Sequence, residues 1–577
     1  MKKIIGLILT LAMLIGSVAM LNVSAAVTPD ANAEPGSEAY TAWLVSEGYT
    51  AITDYAGFVA MMDGNYAEGD KFIMTGKYYL ANDIKLENTG YLLAEGDFTG
   101  AFDGNGHTIY NHKNLAYDFL SGSWKNVTYS KYTDDTKTEE VETKAPIFWG
   151  LDDGAVMENV INERNFVDIA NYWGGFARKV CENATVTLKN CVNYSGIISP
   201  SPVNNHKIGG FFGMVDAGAN VTFENCVNYG EVRGSQAGGF VGTINKNCTL
   251  TFKNCVNNGT IYGLLGTTSG DGSYGISGGF IAGYNNVGGL EGDVNVTLEG
   301  CVNNGNVNRL ENGDPSTESA KVTHGGLIGN LGSSKEGNNI TLNVKDCVVQ
   351  NCYIGGATEW TDLMDGDTVT KDYTQGYAGA IIGWLGNNYA QDSITIENVL
   401  VNNVIIRAGD PTTASLFLNT NSETNNVLLK DVYAFGCTYN KVATGKYTVS
   451  NTGTATNVTV NKTQGSTPAE NAMSLRFLGS VDTLDYYSVG YLVAVTVGST
   501  ITYQMVSTKT VYETVNNGSG TLSKSDFGDK YIVAMAIDGE ASNVTATYTV
   551  TPFALDKDGN VVVGVAKSIT LTNGVLS

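Results

Sequence analysis

The sequence is poor in charge, and above all in positive charge. Only 16% of its 577 residues are charged, and 34 basic residues stand against 57 acidic ones, for a formal charge of −23. A protein that binds a nucleic-acid backbone or an anionic lipid surface needs a basic face. The balance therefore argues against both partner classes and is typical of a soluble extracellular protein.

Residues with obvious catalytic or metal-binding chemistry are also scarce. The four histidines are His107, His112, His206 and His324, and none has a second histidine or a cysteine at the spacing of a zinc site. No helix pattern follows the glycine-rich segments, so they do not predict phosphate-binding loops. We therefore expect no metal, no cofactor and no catalytic residue.

Long apolar runs are limited to the N-terminus. Lys2 and Lys3 precede an apolar stretch from Ile4 to Met20, and small residues near Ala25 offer a cleavage site. This order predicts a secretory signal peptide over residues 1–26. No second long apolar segment and no wall-sorting pattern follow. We expect a monomer that is secreted, extracellular or loosely associated with the cell surface, with no membrane contact after cleavage.

Glycine, by contrast, is abundant, with 70 residues, and one short motif recurs along the chain. Copies of Asn-Cys-Val-Asn can be aligned on the cysteine, here called the anchor, at spacings of 29 to 52 residues. A repeat of this length predicts a solenoid or a propeller. The anchor slot is occupied by Val127, Val160, Cys191, Cys226, Cys255, Cys301, Cys347, Val399 and Val432.

Each anchor ends a segment with the alternation of a half-buried strand. Apolar residues stand three and five positions before the anchor, with threonines between them, so one face can be buried only by stacking on the next copy. Asparagines before and after the anchor are expected to hydrogen-bond along the stack. The predicted structural ladder consists of free, buried cysteines and asparagines: Cys191, Cys226, Cys255, Cys301, Cys347, Asn193, Asn228, Asn257 and Asn303.

A glycine-rich hexad such as residues 238–243 recurs in six copies between the anchored strands, with an apolar residue at its centre. Glycine there permits a corner between sheets. Together the repeats predict an all-β fold, a right-handed parallel β-helix of about nine coils, with handedness taken from the general preference of parallel crossovers. A capping helix is predicted within residues 51–62, after the plausible N-cap Thr53-Asp54.

The segment "GGFVG" at 238–242, followed by "TFKNCVNNGTI", resembles the GLUG-type repeats of secreted bacterial β-helix proteins. The resemblance covers about residues 145–440 and implies a surface, adhesive or accessory module. A few such repeats accompany a separate protease domain, and none is visible here. The sequence from Met473 onward resembles a domain common in secreted proteins of anaerobic, Gram-positive Firmicutes.

These observations predict five regions. Short strands separated by polar turns indicate an antiparallel, Ig-like sandwich at the C-terminus. The regions are a signal peptide (1–26), an N-terminal segment with the capping helix and opening strands (27–120), the parallel β-helix (121–461), a linker (462–472) and the β-sandwich (473–577).

Three coils carry insertions at the same place, between the anchor strand and the next hexad. The insertions are Tyr262–Ser277, Asn308–Thr323 and Gly355–Tyr377, and stacked coils should bring them together as one ridge. Aromatic rings beside carboxylates suit sugar stacking and hydroxyl binding. Tolerated length variation is the alternative explanation. The candidate ligand residues are Tyr262, Tyr274, Glu359, Trp360, Asp362, Tyr373 and Tyr377.

The sequence therefore favours a secreted, non-enzymatic β-helix protein that binds or adheres, with extracellular polysaccharide or host or bacterial surface glycans as partners. The first alternative is a β-helix polysaccharide lyase or glycoside hydrolase whose carboxylates lie in the ridge. The second is a structural spacer that presents the C-terminal sandwich.

Overall fold

The protein divides into two compact units, residues 1–50 and 51–577. The computed structural model describes residues 27–62, 66–68, 71–87, 94–113, 116–166, 172–199, 206–263, 275–284, 292–308, 322–333, 339–355, 376–386, 393–402, 404–407, 414–415, 417–418, 427–435, 437–439, 442–444, 459–460, 472–481, 486–498, 500–507, 521–524, 531–541, 544–556, 561–563, 566–572 and 575–576. The predicted signal peptide lies outside these residues.

The first unit contains helix α1, Glu38–Ser46, which the sequence reasoning did not identify. Ser37 caps its N-terminus, because the hydroxyl accepts a hydrogen bond from Tyr40 N at 3.2 Å. Gly48 ends it with a positive φ of 83°, a conformation that glycine adopts without strain.

Helix α2, Tyr55–Met62, occupies the place of the predicted capping helix. Asp54 caps it by accepting a hydrogen bond from Gly57 N at 2.9 Å. Phe58 and Met61 are buried in the main core, and the ring of Phe58 lies 6.3 Å from that of Phe102. The helix therefore covers apolar side chains of the first coils.

The long strands of sheet 1 are the repeated strands that the anchors predict. Parallel pairing places Phe223 beside Phe252, and Leu250 and Cys255 are buried with them. Thr251, predicted to be exposed, is only partly so, because stacked threonines flank it. The long column contains Lys77–Leu80, Ala101–Asp103, Ser123–Lys125, Val156–Glu158, Thr185–Lys189, Asn220–Glu224, Cys248–Lys253, Val294–Glu299, Ile340–Lys345, Ser393–Asn402, Val427–Phe435 and Thr459–Val460, and Thr50–Ile52 joins the same sheet.

A bend after most of the long strands leads into a short column of the same sheet, whereas Ser393–Asn402 and Val427–Phe435 continue through both columns without a break. The bend residue is an asparagine with positive φ in several coils, for example Asn225 at 53° and Asn254 at 52°. Asparagine tolerates this conformation better than most residues. The short column contains Ile84–Lys85, Thr108–Tyr110, Thr128–Tyr129, Ile161–Asn162, Val192–Asn193, Val227–Asn228, Val256–Asn257, Val302–Asn303 and Val348–Gln350.

Three further sheets complete the coils, and their strands pair in parallel except at the ends of sheets 2 and 4. Sheet 2 contains Glu142–Thr143, Asn165–Phe166, Ile197–Ile198, Val232–Gly234, Ile261–Gly263, Val307–Asn308, Tyr353–Gly355, Ile405–Arg407, Cys437–Tyr439 and Val442–Thr444. Sheet 3 contains Trp173–Gly174, Lys207–Gly209, Gln236–Gly238, Gly275–Gly278, Val322–Gly325, Gly376–Gly379 and Ala414–Ser415. Sheet 4 contains Tyr66–Glu68, Lys71–Met74, Ala94–Phe98, Tyr117–Leu120, Phe148–Leu151, Ala177–Val180, Phe212–Val215, Val241–Ile244, Ile281–Tyr284, Ile328–Ser333 and Ile382–Gly386.

The fold is all-β, with long parallel sheets consistent with the predicted parallel β-helix. The opening strands predicted within residues 27–120 stack directly on the first anchored coil, because Lys77–Leu80 pairs with Ala101–Asp103, and that strand with Ser123–Lys125. The nine predicted coils correspond to the nine anchored copies of the repeat. The long column also contains Lys77–Leu80 and Ala101–Asp103 before the first copy and Thr459–Val460 after the last. Aromatic side chains fill the core of the early coils, where the rings of Phe102 and Trp124 stack with centroids 4.0 Å apart.

Two hydrophobic cores run through the stack. In the main core, the central phenylalanines of successive hexads stack face to face, with Phe211 and Phe280 each 4.8 Å from Phe240. A smaller core lies between sheets 2 and 3 and includes Ile208 and Val232. The coils between Phe166 and Ile261 therefore bury apolar surface in two places.

The outward face of the long column carries charges that alternate in sign from coil to coil. Lys125 and Glu158 form an ion pair at 3.0 Å, and Lys189 and Glu224 one at 3.8 Å. We call these residues the alternating column; cross-strand neighbours of opposite charge stabilise a sheet. Its members, in register, are Lys125, Glu158, Lys189, Glu224, Lys253, Glu299, Lys345 and Glu397.

The C-terminal region forms two antiparallel sheets, as the short strands there predict. The first contains Ala472–Val481, Tyr531–Ala541 and Thr521–Lys524. The second contains Thr500–Ser507, Tyr486–Val497, Ala546–Asp556, Val561–Val563, Lys567–Thr572 and Val575–Leu576.

Candidate functional site

The most distinctive exposed feature of the described residues is a pair of stacked tyrosines. Tyr194 and Tyr229 are 50% and 46% exposed, although they belong to an ordered stack. Their ring centroids lie 4.8 Å apart and their planes differ by 5°. The rings therefore present hydroxyl groups and ring edges to solvent at the spacing of successive coils.

Amide side chains continue this row along the next coils. Asn304 donates a hydrogen bond to Asn258 Oδ1 at 2.8 Å, and Gln350 donates one to Asn304 Oδ1 at 3.1 Å. We call Tyr194, Tyr229, Asn258, Asn304 and Gln350 the flank strip. All five are at least partly exposed.

The backbone beneath the flank strip is fixed by hydrogen bonds to the preceding coil. Tyr229 N donates to Asn193 O at 2.7 Å, and Asn258 N donates to Asn228 O at 2.7 Å. A ligand that contacts this row does not have to order the backbone, which lowers the entropic cost of binding.

Glu163 precedes the flank strip by one coil. It is half-buried, and burial is the main cause that raises the pKa of its carboxyl. Burial also raises the pKa of Tyr194, with further contributions from Tyr229 and Glu163. The Tyr194 hydroxyl is therefore protonated at neutral pH and can donate a hydrogen bond.

Most of the predicted ligand ridge cannot be placed. Tyr274, Glu359, Trp360, Asp362 and Tyr373 lie outside the described residues. The described ends of the three insertions are neighbours in the sheets. The strands at their N-terminal ends pair in sheet 2: Ile261–Gly263, Val307–Asn308 and Tyr353–Gly355. The strands at their C-terminal ends pair in sheet 3: Gly275–Gly278, Val322–Gly325 and Gly376–Gly379.

Two members of the ridge are described, and they lie in different sheets. Tyr262, in sheet 2, is partly buried beneath Arg233, whose Cζ lies 5.1 Å from the ring centroid. Tyr377, in sheet 3, packs against Trp384 with ring centroids 4.0 Å apart. Both rings have partners within the protein.

The predicted asparagines form a hydrogen-bonded chain inside the stack. Asn193, Asn228 and Asn257 each donate to the next asparagine at 2.8 Å, and all are fully buried, as is Asn303. Each also donates to a backbone carbonyl two residues ahead, such as Asn228 to Gly230 O at 3.0 Å. We call this chain the inner ladder; it faces the hexad glycines and presents no group to solvent.

The predicted cysteines lie in register beside it. Cys191, Cys226, Cys255, Cys301 and Cys347 are free and fully buried. Burial raises the pKa of the Cys191, Cys255 and Cys301 thiols, which therefore remain protonated. Their chemistry is that of small buried side chains.

Arg164 occupies the N-terminal end of the inner ladder and is fully buried. Its Nε donates to Asn162 Oδ1 at 3.0 Å, and its guanidinium also bonds Ala145 O, Gly175 O and His112 Nδ1 at 3.2, 3.1 and 2.9 Å. None of the contacts recorded for it in the described part of the chain is a carboxylate.

The surroundings of Arg164 stabilise its charge by other means. Its Cζ lies 5.4 Å from the ring of Tyr129 and 5.1 Å from that of Phe166, within cation–π distance. Burial lowers the pKa of Arg164 to about 10, so the group stays charged at neutral pH. Burial and this nearby charge hold the pKa of His112 well below its usual range.

One cleft of about 440 Å³ is lined by Lys113, Glu140, Glu142 and Asn165. Glu140 accepts hydrogen bonds from Lys131 and Asn165, and the first of these lowers the pKa of its carboxyl most. Glu140 is therefore ionised at neutral pH and is not a proton donor for glycoside cleavage, which requires an acid of raised pKa.

Within the described ranges, no cluster of His, Cys, Asp and Glu could hold a metal ion. In the same residues no helix is both long and apolar enough to span a bilayer.

No protein-family profile and no curated protein matches this sequence. Among solved structures, the chain is similar to one titled as a "putative immunoglobulin A1 protease" from Bacteroides ovatus. The identity is 14%, and the alignment covers 68% of this chain and 84% of that one, with a TM-score of 0.24. A similarity of this size supports no statement about fold or activity.

Proposed function

We propose that this is a secreted, non-enzymatic β-helix protein that binds an extended polysaccharide along the flank strip. The exposed Tyr194–Tyr229 stack is the observation that carries the proposal. Exposed rings gain little from folding, whereas a sugar chain can bury their edges and accept hydrogen bonds from their hydroxyls.

The chemistry of the strip suits a neutral, repeating ligand. Hydroxyl and amide groups recur at the coil spacing of 4.8 Å, and successive sugar units of an extended chain recur at a comparable spacing. Each coil would then contact about one sugar unit. Polar groups that are fixed in advance give orientation and specificity to such contacts.

The wider architecture belongs to the same proposal. We infer right-handed coils, a signal peptide at 1–26, a linker at 462–472 and an Ig-like sandwich formed by the C-terminal sheets. A secreted, GLUG-like surface module of Gram-positive origin would present its flank to extracellular or cell-surface glycans.

Binding of the mature chain to a panel of immobilised polysaccharides tests the proposal. The double variant Tyr194→Ala/Tyr229→Ala should lose at least about tenfold in affinity, or 1.4 kcal/mol, at an unchanged melting temperature. The matched pair Tyr194→Phe/Tyr229→Phe separates ring contacts from hydroxyl bonds.

Variants of the ridge serve as controls. If Tyr262→Ala or Trp360→Ala abolishes binding and the double strip variant does not, the ligand contacts the ridge and the strip proposal is wrong. Release of oligosaccharides from the same panel would instead support the alternative lyase or hydrolase.

A further inference from the structure

A second surface breaks the repeat pattern in a way that the architecture does not require. Trp149 and Arg178 stand in the fifth slot of the hexad alignment. They are neighbours on adjacent coils, because Phe148 pairs with Ala177 immediately before them. The same slot in later copies holds Gly213, Gly242, Ala282, Gly329 and Gly383.

The later copies need a small residue because sheet 3 packs over that slot. A Cβ at Gly213 would lie 2.3 Å from Trp173 N, and one at Gly242 would lie 2.6 Å from Ile208 N. The first described strand of sheet 3 is Trp173–Gly174, so no described strand of that sheet covers Arg178. Large side chains are possible there, but nothing in the packing demands Trp and Arg.

The side chains at this uncovered place form a compact group. Arg178 Cζ lies 4.4 Å from the ring centroid of Trp149. Trp149 and Trp173 meet edge to face, with ring centroids 5.8 Å apart and planes at 86°. All three are partly exposed. In the described part of the chain Arg178 makes no hydrogen bond and no ion pair, although it has five N–H donors.

The carboxylates beside this group have partners of their own. Burial lowers the pKa of Arg178, and Asp216, which acts in the opposite direction, is bound by Lys179 at 2.9 Å and accepts a hydrogen bond from Asn245 at 3.2 Å. Asp118, the cross-strand neighbour of Trp149, accepts a hydrogen bond from Gly96 N at 3.0 Å. Lys207 lies deeper, with Nζ 5.1 Å from the ring of Tyr172, and burial lowers its pKa to about 8, so Arg178 supplies the exposed positive charge of this group. A partly exposed arginine beside two tryptophans stands out on a chain of formal charge −23.

We propose that Trp149, Trp173 and Arg178 bind a sugar that bears a carboxylate, a uronic or sialic acid. The guanidinium donates two parallel hydrogen bonds to the oxygens of the carboxylate. Stacking on Trp149 orients the guanidinium before the ligand binds. The indole of Trp173 packs against the apolar face of the sugar ring. The inference rests on the proposed glycan binding but shares no residue with the flank strip.

Titration calorimetry on the full mature chain tests this site with two pairs of probes. Trigalacturonate is compared with its methyl ester, and sialyllactose with lactose. Within each pair only one member carries the carboxylate, and comparison of the two pairs distinguishes uronic from sialic acid. The acidic member of at least one pair should bind at least tenfold more tightly, and added salt should weaken that preference. Arg178→Gln should abolish the preference, and Trp173→Ala should weaken both members.

Arg233→Gln is the matched control, because Arg233 also stacks on an aromatic ring, that of Tyr262, but is paired with Glu231. It should leave the preference intact. Arg178→Lys keeps the positive charge but cannot form a bidentate pair, so it should reduce the preference. It provides the test if Arg178→Gln does not fold. An unchanged preference in a folded Arg178 variant, or no preference in the native chain, overturns this site. Because the two sites share no residue, absence of this preference together with polysaccharide binding that the Tyr194→Ala/Tyr229→Ala variant loses would overturn this site and leave the strip proposal standing.

Discussion

Asn228→Ala should destabilise the protein far more than its small change in volume suggests. Asn228 accepts a hydrogen bond from Asn193 and donates to Asn257 and to Gly230 O, at distances of 2.8, 2.8 and 3.0 Å, in a fully buried position. Three buried bonds at about 1 kcal/mol each, together with the desolvated Oδ1 of Asn257, amount to about 3–5 kcal/mol.

Urea unfolding of Asn228→Ala measures this loss, and hydrogen exchange of the strands around Val227 locates it. Thr222→Ala is the matched control, since its side chain lies on the outward face of the same coil and should cost less than about 1 kcal/mol. A loss in Asn228→Ala no greater than that in Thr222→Ala would refute the reasoning that the inner ladder holds neighbouring coils together.

Three further changes test other contacts. Arg164→Met should lose about 3–5 kcal/mol in urea unfolding, because it leaves several buried acceptors without a donor; an unchanged midpoint would contradict this. Acidification below pH 6.5 should lower the free energy of unfolding, because the pKa of His112 is lower in the folded chain than in the unfolded chain, which takes up the proton first. In His112→Gln the urea midpoints at pH 7.5 and pH 5.5 should differ less than in the native chain. Lys253→Glu places like charges beside Glu224 and Glu299 and should cost about 1 kcal/mol, less at high salt; the same loss in Lys253→Gln would exclude repulsion.

The periodic part of the fold could be predicted because the same physical requirement recurs in every coil. A buried slot such as Phe252 must be apolar, and its copies reveal the stack. The strands Lys77–Leu80 and Ala101–Asp103 could be predicted only as opening strands, because no Asn-Cys-Val-Asn motif follows them to place them in the repeat. Helix α1 was missed although Ser37 is a standard N-cap, because no repeat drew attention to it.

The candidate sites were harder to predict because they consist of departures from the repeat. The tyrosines of the flank strip follow the anchor motif directly, in "CVNY" at 191–194 and 226–229, where other copies have "CVNN". Their exposure follows from the turn of the short column, which the sequence does not give. Arg178 in a glycine slot was a visible signal, but its meaning required knowing which coils sheet 3 covers.

The alternating column gives the coil number a parity. Deleting one coil, Cys226–Asn254, would bring Glu224 against Glu299, whereas deleting two, Cys226–Gly300, would bring it against Lys345. The one-coil deletion should therefore carry a salt-dependent penalty that the two-coil deletion lacks. Gain or loss of two coils keeps opposite charges adjacent, whereas gain or loss of one coil places like charges side by side. A duplication of two coils should therefore be tolerated better than a duplication of one.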